Sequence, residues 1–230
     1  MAENMITVEK LFKQYGKGEN AVQALKDISF SVRKGEFVAV TGESGSGKTT
    51  LLNVLGSLIT ADEGHIIVDG KDITKYNDSQ LAAYRRQKIG IIFQNYNLIQ
   101  VLNAEENICL PMNLDSAQPD MAFLEELLEL TGLKQKRNRF PHELSGGEQQ
   151  KISFARALIH KPDIILADEP TGNLDTKNSR ELISVLKNSI RKYRQTLILI
   201  THDLSIAAQA DRIFVMKDGV LTEEDGVNKS

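Results

Sequence analysis

Three stretches of this chain hold residues whose types and spacing can do chemistry. The first is Gly42-Glu43-Ser44-Gly45-Ser46-Gly47-Lys48-Thr49, which fits the pattern G-x-x-x-x-G-K-[ST]. Its glycines allow backbone angles that turn successive N–H groups inward into an anion nest. A helix starting near Lys48 adds the positive end of its dipole. Lys48 is placed to reach the β- and γ-phosphates of a nucleotide, and Thr49 to offer its hydroxyl to Mg²⁺. The second stretch is an apolar run over residues 164–167 that ends in Asp168-Glu169. In open α/β sheets ligands sit at the carboxyl ends of strands, which suits Asp168 to hold Mg²⁺ through water. If the strand extends that far, alternation turns Glu169 to the opposite side, where it is expected to act as general base on an attacking water.

The third stretch is Leu144-Ser145-Gly146-Gly147-Glu148. Ser145 followed three residues later by Glu148 is a capping box. Gly146 and Gly147 are poor residues for a first helical turn. Their use makes sense where a ligand must come close to the backbone. A serine hydroxyl, bare N–H groups and a helix start form a second phosphate receptor on a chain that already has one. One nucleotide needs one such loop, so two copies of the chain are expected to share their nucleotides.

The elements that must position these residues follow from hydrophobic patterning. Residues 6–15 and 28–32 read as strands with a turn over 16–20 between them, and residues 37–40 as a short buried strand. Residues 48–58 read as a helix, 65–68 as a strand turned by Asp69-Gly70, 78–86 as a helix and 89–93 as a strand. From about residue 103 to 160 helical patterns dominate, over 104–110, 121–130 and 147–159. Strand–helix alternation then resumes: strand 164–167, an amphipathic helix 179–193, and strands 197–200 and 213–216. Such alternation implies right-handed crossovers and a mostly parallel sheet. The tail from residue 222 reads as poorly packed.

Bulk composition narrows the function classes. The 230 residues are 41% hydrophobic and 26% charged, with a formal charge of −3. Nothing here draws the whole chain to nucleic acid or an anionic membrane. Cys109 is the single cysteine, which excludes an internal disulfide and reads as a small buried hydrophobe. The first residues do not form a signal peptide. No apolar run approaches the about 20 residues that span a bilayer, so if the protein works at a membrane another chain crosses it.

Taken in order, these motifs resemble the nucleotide-binding domain of ABC transporters over essentially the whole chain. Besides the three stretches, Gln94 in Phe93-Gln94-Asn95-Tyr96 stands where that family has its Q-loop glutamine. His202 in Thr201-His202-Asp203 stands at the switch histidine, and Asn173-Leu174-Asp175 at the D-loop. Tyr15 stands where the family stacks a ring on adenine. The resemblance implies an α/β P-loop NTPase fold with a mostly parallel core sheet, an antiparallel β subdomain and an inserted helical lobe. Residues 1–94 and 161–230 would form the nucleotide-binding core and residues 95–160 the lobe.

The resemblance also implies roles. ATP would meet Tyr15, Gly42, Ser44, Gly45, Ser46, Gly47, Lys48, Thr49, Thr50, Gln94 and Asp175, and, from the other copy, Ser145, Gly146 and Gly147. Thr49, Gln94 and Asp168 would hold Mg²⁺, and Glu169, His202 and Lys48 would carry hydrolysis. Two copies would sandwich two ATP molecules and drive a separate membrane permease from the cytoplasmic face, with no nucleic-acid partner. Tyr96-Asn97-Leu98 and the run from Thr171 to Asp175 resemble the subgroup of macrolide exporters, lipoprotein-release ATPases and antimicrobial-peptide-resistance transporters, with residues 95–102 as the socket for the permease. The alternative within the family is a cell-division-type ATPase that signals through a membrane partner without transport. Glu148 departs from the glutamine commoner at its position, and Lys151 from arginine.

Overall fold

The computed structural model describes residues 3–115, 117–172 and 174–224. Asn173 of the expected D-loop and the tail from residue 225 lie outside them. In chain order the elements are β1 (Asn4–Tyr15), β2 (Val22–Arg33), β3 (Phe37–Thr41), α1 (Lys48–Leu55), β4 (Glu63–Val68), β5 (Lys71–Asp72), α2 (Asp78–Lys88) and β6 (Ile89–Ile92). They continue with α3 (Ala104–Leu114), α4 (Met121–Leu130), α5 (Gly146–Leu158), β7 (Ile164–Asp168), α6 (Thr176–Tyr193), β8 (Thr196–Ile200), α7 (Leu204–Ala207), β9 (Arg212–Lys217) and β10 (Val220–Glu223). The fold is α/β with a parallel-rich sheet and an antiparallel one. The chain forms two compact units, one from the residues up to 82 and from 196 onward, the other from 83–195.

In the first unit β3 is the centre. Its five residues Phe37-Val38-Ala39-Val40-Thr41 are all buried, as a strand covered on both faces must be. It pairs in parallel with β8, Phe37 opposite Leu197, and with β9, Val38 opposite Arg212. β10 adds an antiparallel edge to β9. Those four mixed-polarity residues carry no clean apolar alternation, and the sequence reading did not expect a strand there. A second sheet, ordered β2-β1-β4-β5, is antiparallel throughout. β1 bulges after Val8, where Lys10 takes φ of 49°.

The second unit holds the parallel pair β6–β7, with Ile92 opposite Ala167, and helices α3 to α6. Helix α5 lies close on β6: a Cβ on Gly90 would sit 2.2 Å from the carbonyl oxygen of Ala157. Glycine is required there by contact, not by turn geometry. The apolar face of α6 buries Leu182, Ile183, Leu186 and Ile190. Cys109 is buried in α3, and burial pushes its thiol up to about 11. Among the described residues no helix is long and apolar enough to cross a membrane.

Several boundaries differ from the sequence reading, among them β2, which starts at Val22, and three helix ends with a local cause. Helix α1 stops at Leu55, three residues early, because Gly56 caps it and Ser57 turns left-handed at φ 53°. Helix α3 runs past Leu110 to Leu114 with Pro111 inside it, and Asp115 N donates to the Pro111 carbonyl at 3.3 Å. Helix α6 starts at Thr176 because Asp175 caps it, its carboxylate accepting from Asn178 N at 2.8 Å.

Candidate functional site: a phosphate loop and a second phosphate-facing helix start

The loop between β3 and α1 takes its shape from two glycines in close contact. Gly42 sits at φ 140°, and a Cβ there would lie 2.1 Å from the Met216 carbonyl oxygen. Gly47 sits at φ 108°, with the Ala24 carbonyl oxygen 2.3 Å from where its Cβ would be. Backbone from β9 and β2 therefore presses the loop into place, and no larger residue fits. Gly45, at φ 78°, has open space around it. Gly47 is also the N-cap of α1, which has no side-chain cap bond and no acidic residue in its first turn. The first-turn N–H groups thus have no side-chain acceptor.

The loop is rich in donors, and its one carboxylate, Glu43, is exposed. Ser46 is buried and its Oγ has no hydrogen-bond partner. Lys48 is 9% exposed, and its Nζ donates to the carbonyls of Gly42 at 2.8 Å and Glu43 at 2.6 Å. Ser44 and Thr49 are exposed and Thr50 is half-buried. An uncapped helix start, an orphaned hydroxyl and an ammonium resting on carbonyls fit a polyphosphate. Lys48→Ala is expected to weaken ATP binding about tenfold or more while the chain stays folded. Nucleotide titration beside thermal melting checks this.

Two further expected residues lie in the same unit. Thr201 N donates to the Val40 carbonyl at 3.2 Å, so His202, exposed at the end of β8, follows a residue bonded beside the origin of the phosphate loop. Asp203 caps α7, its carboxylate accepting from Ser205 N at 2.8 Å. Tyr15 ends β1 with 44% of its surface exposed, and Lys13 Nζ lies 5.7 Å from the ring centroid.

In the second unit, Gln94 and the pair Asp168-Glu169 leave the carboxyl ends of the adjacent parallel strands β6 and β7. Asp168 ends β7 half-buried. For Glu169 the condition of the sequence reading is not met: the strand stops before it, and its φ of 47° is left-handed, so strand alternation does not set its direction. Such a conformation costs a non-glycine residue about 1 kcal/mol and marks a site under constraint. A Cβ on Gly172 would lie 3.6 Å from Gln94 Nε2 and 3.8 Å from Glu169 Cβ. Gln94 and Glu169 therefore both border the space beside Gly172. Asp175 is engaged as the cap of α6.

Helix α5 starts as expected. Ser145 Oγ accepts from Glu148 N at 3.4 Å, and Ser145 N donates to Glu148 Oε2 at 2.9 Å. Ser145 and Gly146 are exposed and Gly147 is half-buried. The site where a Cβ of Gly146 would stand is 2.9 Å from the Tyr96 hydroxyl. For Gly147 the nearest atom is Leu174 Cδ2, at 3.4 Å. Lys136 pairs with the other Glu148 oxygen and holds its carboxyl below the usual range.

Two residues that matter to this site escaped the sequence reading. Arg156 of α5 donates to the carbonyls of Tyr96 and Asn97, both at 2.6 Å. Those two residues sit at φ of 57° and 49°, so the guanidinium holds a left-handed pair next to Gln94. Asn107 is fully buried in α3, and its side chain bonds Ile99 N and the carbonyls of Ile99, Leu102 and Asn103. The signal for both was a polar side chain inside an otherwise apolar helical face. Arg156→Ala is expected to lower stability by about 2 kcal/mol, since two carbonyls lose a charged donor. Urea unfolding measures it, and an unchanged midpoint would contradict the clamp.

With this geometry in hand, comparison with known proteins decides the family. The sequence profile describing ABC transporters matches residues 25–172. The chain belongs to the ABC transporter family. It is 45% identical over 223 residues to the macrolide export ATP-binding/permease protein MacB of Mannheimia succiniciproducens, covering 96% of this chain and 34% of that protein. The chain thus spans about a third of that relative's length. It is 42% identical to the ABC transporter ATP-binding protein YxdL of Bacillus subtilis, covering 96% of this chain and 86% of that one.

Among solved structures, the fold matches a dimeric post-hydrolysis state of the ATP-binding cassette MJ0796 bound to ADP and Pi. The TM-score is 0.90 at 37% identity, covering 96% of this chain and 98% of that one. It also matches cbiO1 from Clostridium perfringens, part of the ABC transporter complex cbiONQ. There the TM-score is 0.83 at 27% identity, with 96% and 87% covered. This chain is thus an ABC-type ATPase domain, an ATP hydrolase.

Proposed function

We propose that two copies of this chain close around two ATP molecules, head to tail, each nucleotide lying between one copy's phosphate loop and the other's Ser145-Gly146-Gly147. The observation that carries this is the presence of two phosphate-facing helix starts, at α1 and α5, in one chain. Gly42 to Thr50 cradle the phosphates, with Lys48 on the β- and γ-phosphates. Tyr15 stacks on the base. Thr49, Gln94 and Asp168 would hold Mg²⁺, which supplies charge neutralisation on the phosphates. Glu169 takes the proton of the attacking water, and His202 with the partner copy's serine steadies the γ-phosphate. Asp175 lies at the crossing between copies.

Hydrolysis removes the γ-phosphate link and opens the dimer, and this cycle drives a separate membrane permease from the cytoplasmic face. That Gln94 and Glu169 both border Gly172 supports coupling of the catalytic end to the loop that follows Gln94. That loop, clamped by Arg156 and Asn107, presents Ile99 at 41% and Val101 at 79% exposure, an apolar face for a permease segment. The likeness to MacB supports a role in export, macrolide or antimicrobial-peptide resistance or lipoprotein release. Nothing in these relatives favours the signalling alternative.

Light scattering of the Glu169→Gln chain tests the arrangement. ATP is expected to double its mass and ADP to leave it unchanged; a chain that stays single with ATP contradicts the proposal.

A further inference from the structure

The stretch Leu144-Ser145-Gly146-Gly147-Glu148 ends in a carboxylate, and a carboxylate beside a phosphate receptor opposes its ligand. Glu148 stands three residues after Ser145 at the start of α5. Its two oxygens are divided. Oε2 accepts from Ser145 N at 2.9 Å and fixes the helix start, while Oε1 is taken by Lys136 Nζ. Lys136 ends a 3-10 turn, Lys134–Lys136, that follows the buried Leu133. Lys136 N donates to the Leu133 carbonyl at 2.7 Å, so the turn is anchored to the core of its unit.

Three neighbouring cations are committed elsewhere. Arg137 pairs with Glu105 and Glu125, Arg139 with Glu143, and Lys151 of α5 lies 3.7 Å from Glu181. Among the described ion pairs, Lys136 is the cation that reaches Glu148.

We infer that Lys136 is a charge-compensating positioning residue for the second phosphate receptor: it neutralises Glu148 so that Ser145-Gly146-Gly147 can accept the γ-phosphate held by the partner copy. Glu148 then gives α5 the geometry of a carboxylate capping box without its repulsion. This rests on the proposed sharing of ATP between copies. Glu148 is side-chain 25% exposed and Lys136 45%, so the pair is partly screened and its effect is moderate.

The test is a double-mutant cycle in the Glu169→Gln chain, reading by light scattering the ATP concentration at half-dimerisation. Lys136→Ala is expected to raise that midpoint about fivefold, Lys136→Glu further, and Lys136→Arg less than about twofold. In a Glu148→Gln background Lys136→Ala is expected to shift it by less than about twofold. Raising the ionic strength shrinks the Lys136→Ala penalty, because exposed charges are screened. Thermal melts follow each variant. A flat Lys136 series overturns the inference, and so does an equal loss in both backgrounds, which marks Lys136 as packing only. Gly147→Asp in the same assay separates the two levels. If it dimerises normally, the sharing of ATP falls. If it fails to dimerise while the Lys136 series is flat, the inference alone falls.

Discussion

The Glu169→Gln chain is expected to bind ATP as the parent does and to turn it over at least about 100-fold more slowly, the scale of a lost general base. The amide keeps the size of the carboxylate, so the left-handed turn at φ 47° and the bond from Gly172 N to the Glu169 carbonyl at 3.1 Å survive. What is lost is the ability to take a proton from water. Because the ATP-bound dimer then persists, the same variant accumulates the closed form. Steady-state turnover beside nucleotide titration checks it. Near-parental turnover would remove Glu169 from the role of base.

Gly147→Asp is expected to leave ATP binding by the single chain within about twofold, to abolish ATP-dependent dimerisation and to cut turnover at least about 100-fold, on the scale of losing a preorganised charge-stabilising group. The signs of its effects separate binding from folding. An acidic residue in a first turn stabilises a helix through the dipole, so melting should stay level or rise slightly. Space is not the obstacle either, since the nearest atom to a Cβ there is Leu174 Cδ2 at 3.4 Å. On the proposed sharing of ATP, the damage comes from a new negative charge where a partner's γ-phosphate would sit. Gly147→Ala, which adds bulk without charge, should be mild by the same measurements. A Gly147→Asp chain that dimerises with ATP would contradict the shared site.

Much of this was legible in the sequence because the chemistry is local. The phosphate loop, the capping box and the acidic end of β7 each lie within eight consecutive residues. Buried strands such as β3 and β8 announced themselves as short branched runs. Gly42 and Gly47 were legible as turn residues, yet their contacts with Met216 and Ala24 come from residues distant in the chain. The same holds for Arg156 with Tyr96, 60 residues apart, and for Lys136 with Glu148, 12 apart. Sequence periodicity carries no information about such pairs. The direction of Glu169 was not legible for a different reason: alternation holds only while a strand lasts, and β7 ends one residue earlier. The extra strand β10 owes its order to pairing with β9, Val220 opposite Lys217, and its own residues are half polar.

The central claim is that each ATP is shared between two copies, and mixing two inactive chains tests it most directly. One chain carries Lys48→Ala, with a disabled phosphate loop and an intact Ser145-Gly146-Gly147. The other carries Gly147→Asp, with the reverse. A mixed pair contains one complete site only if the loop of one copy faces the helix start of the other. The account predicts that the mixture hydrolyses ATP well above the sum of the two chains assayed apart. Turnover no greater than that sum would contradict it.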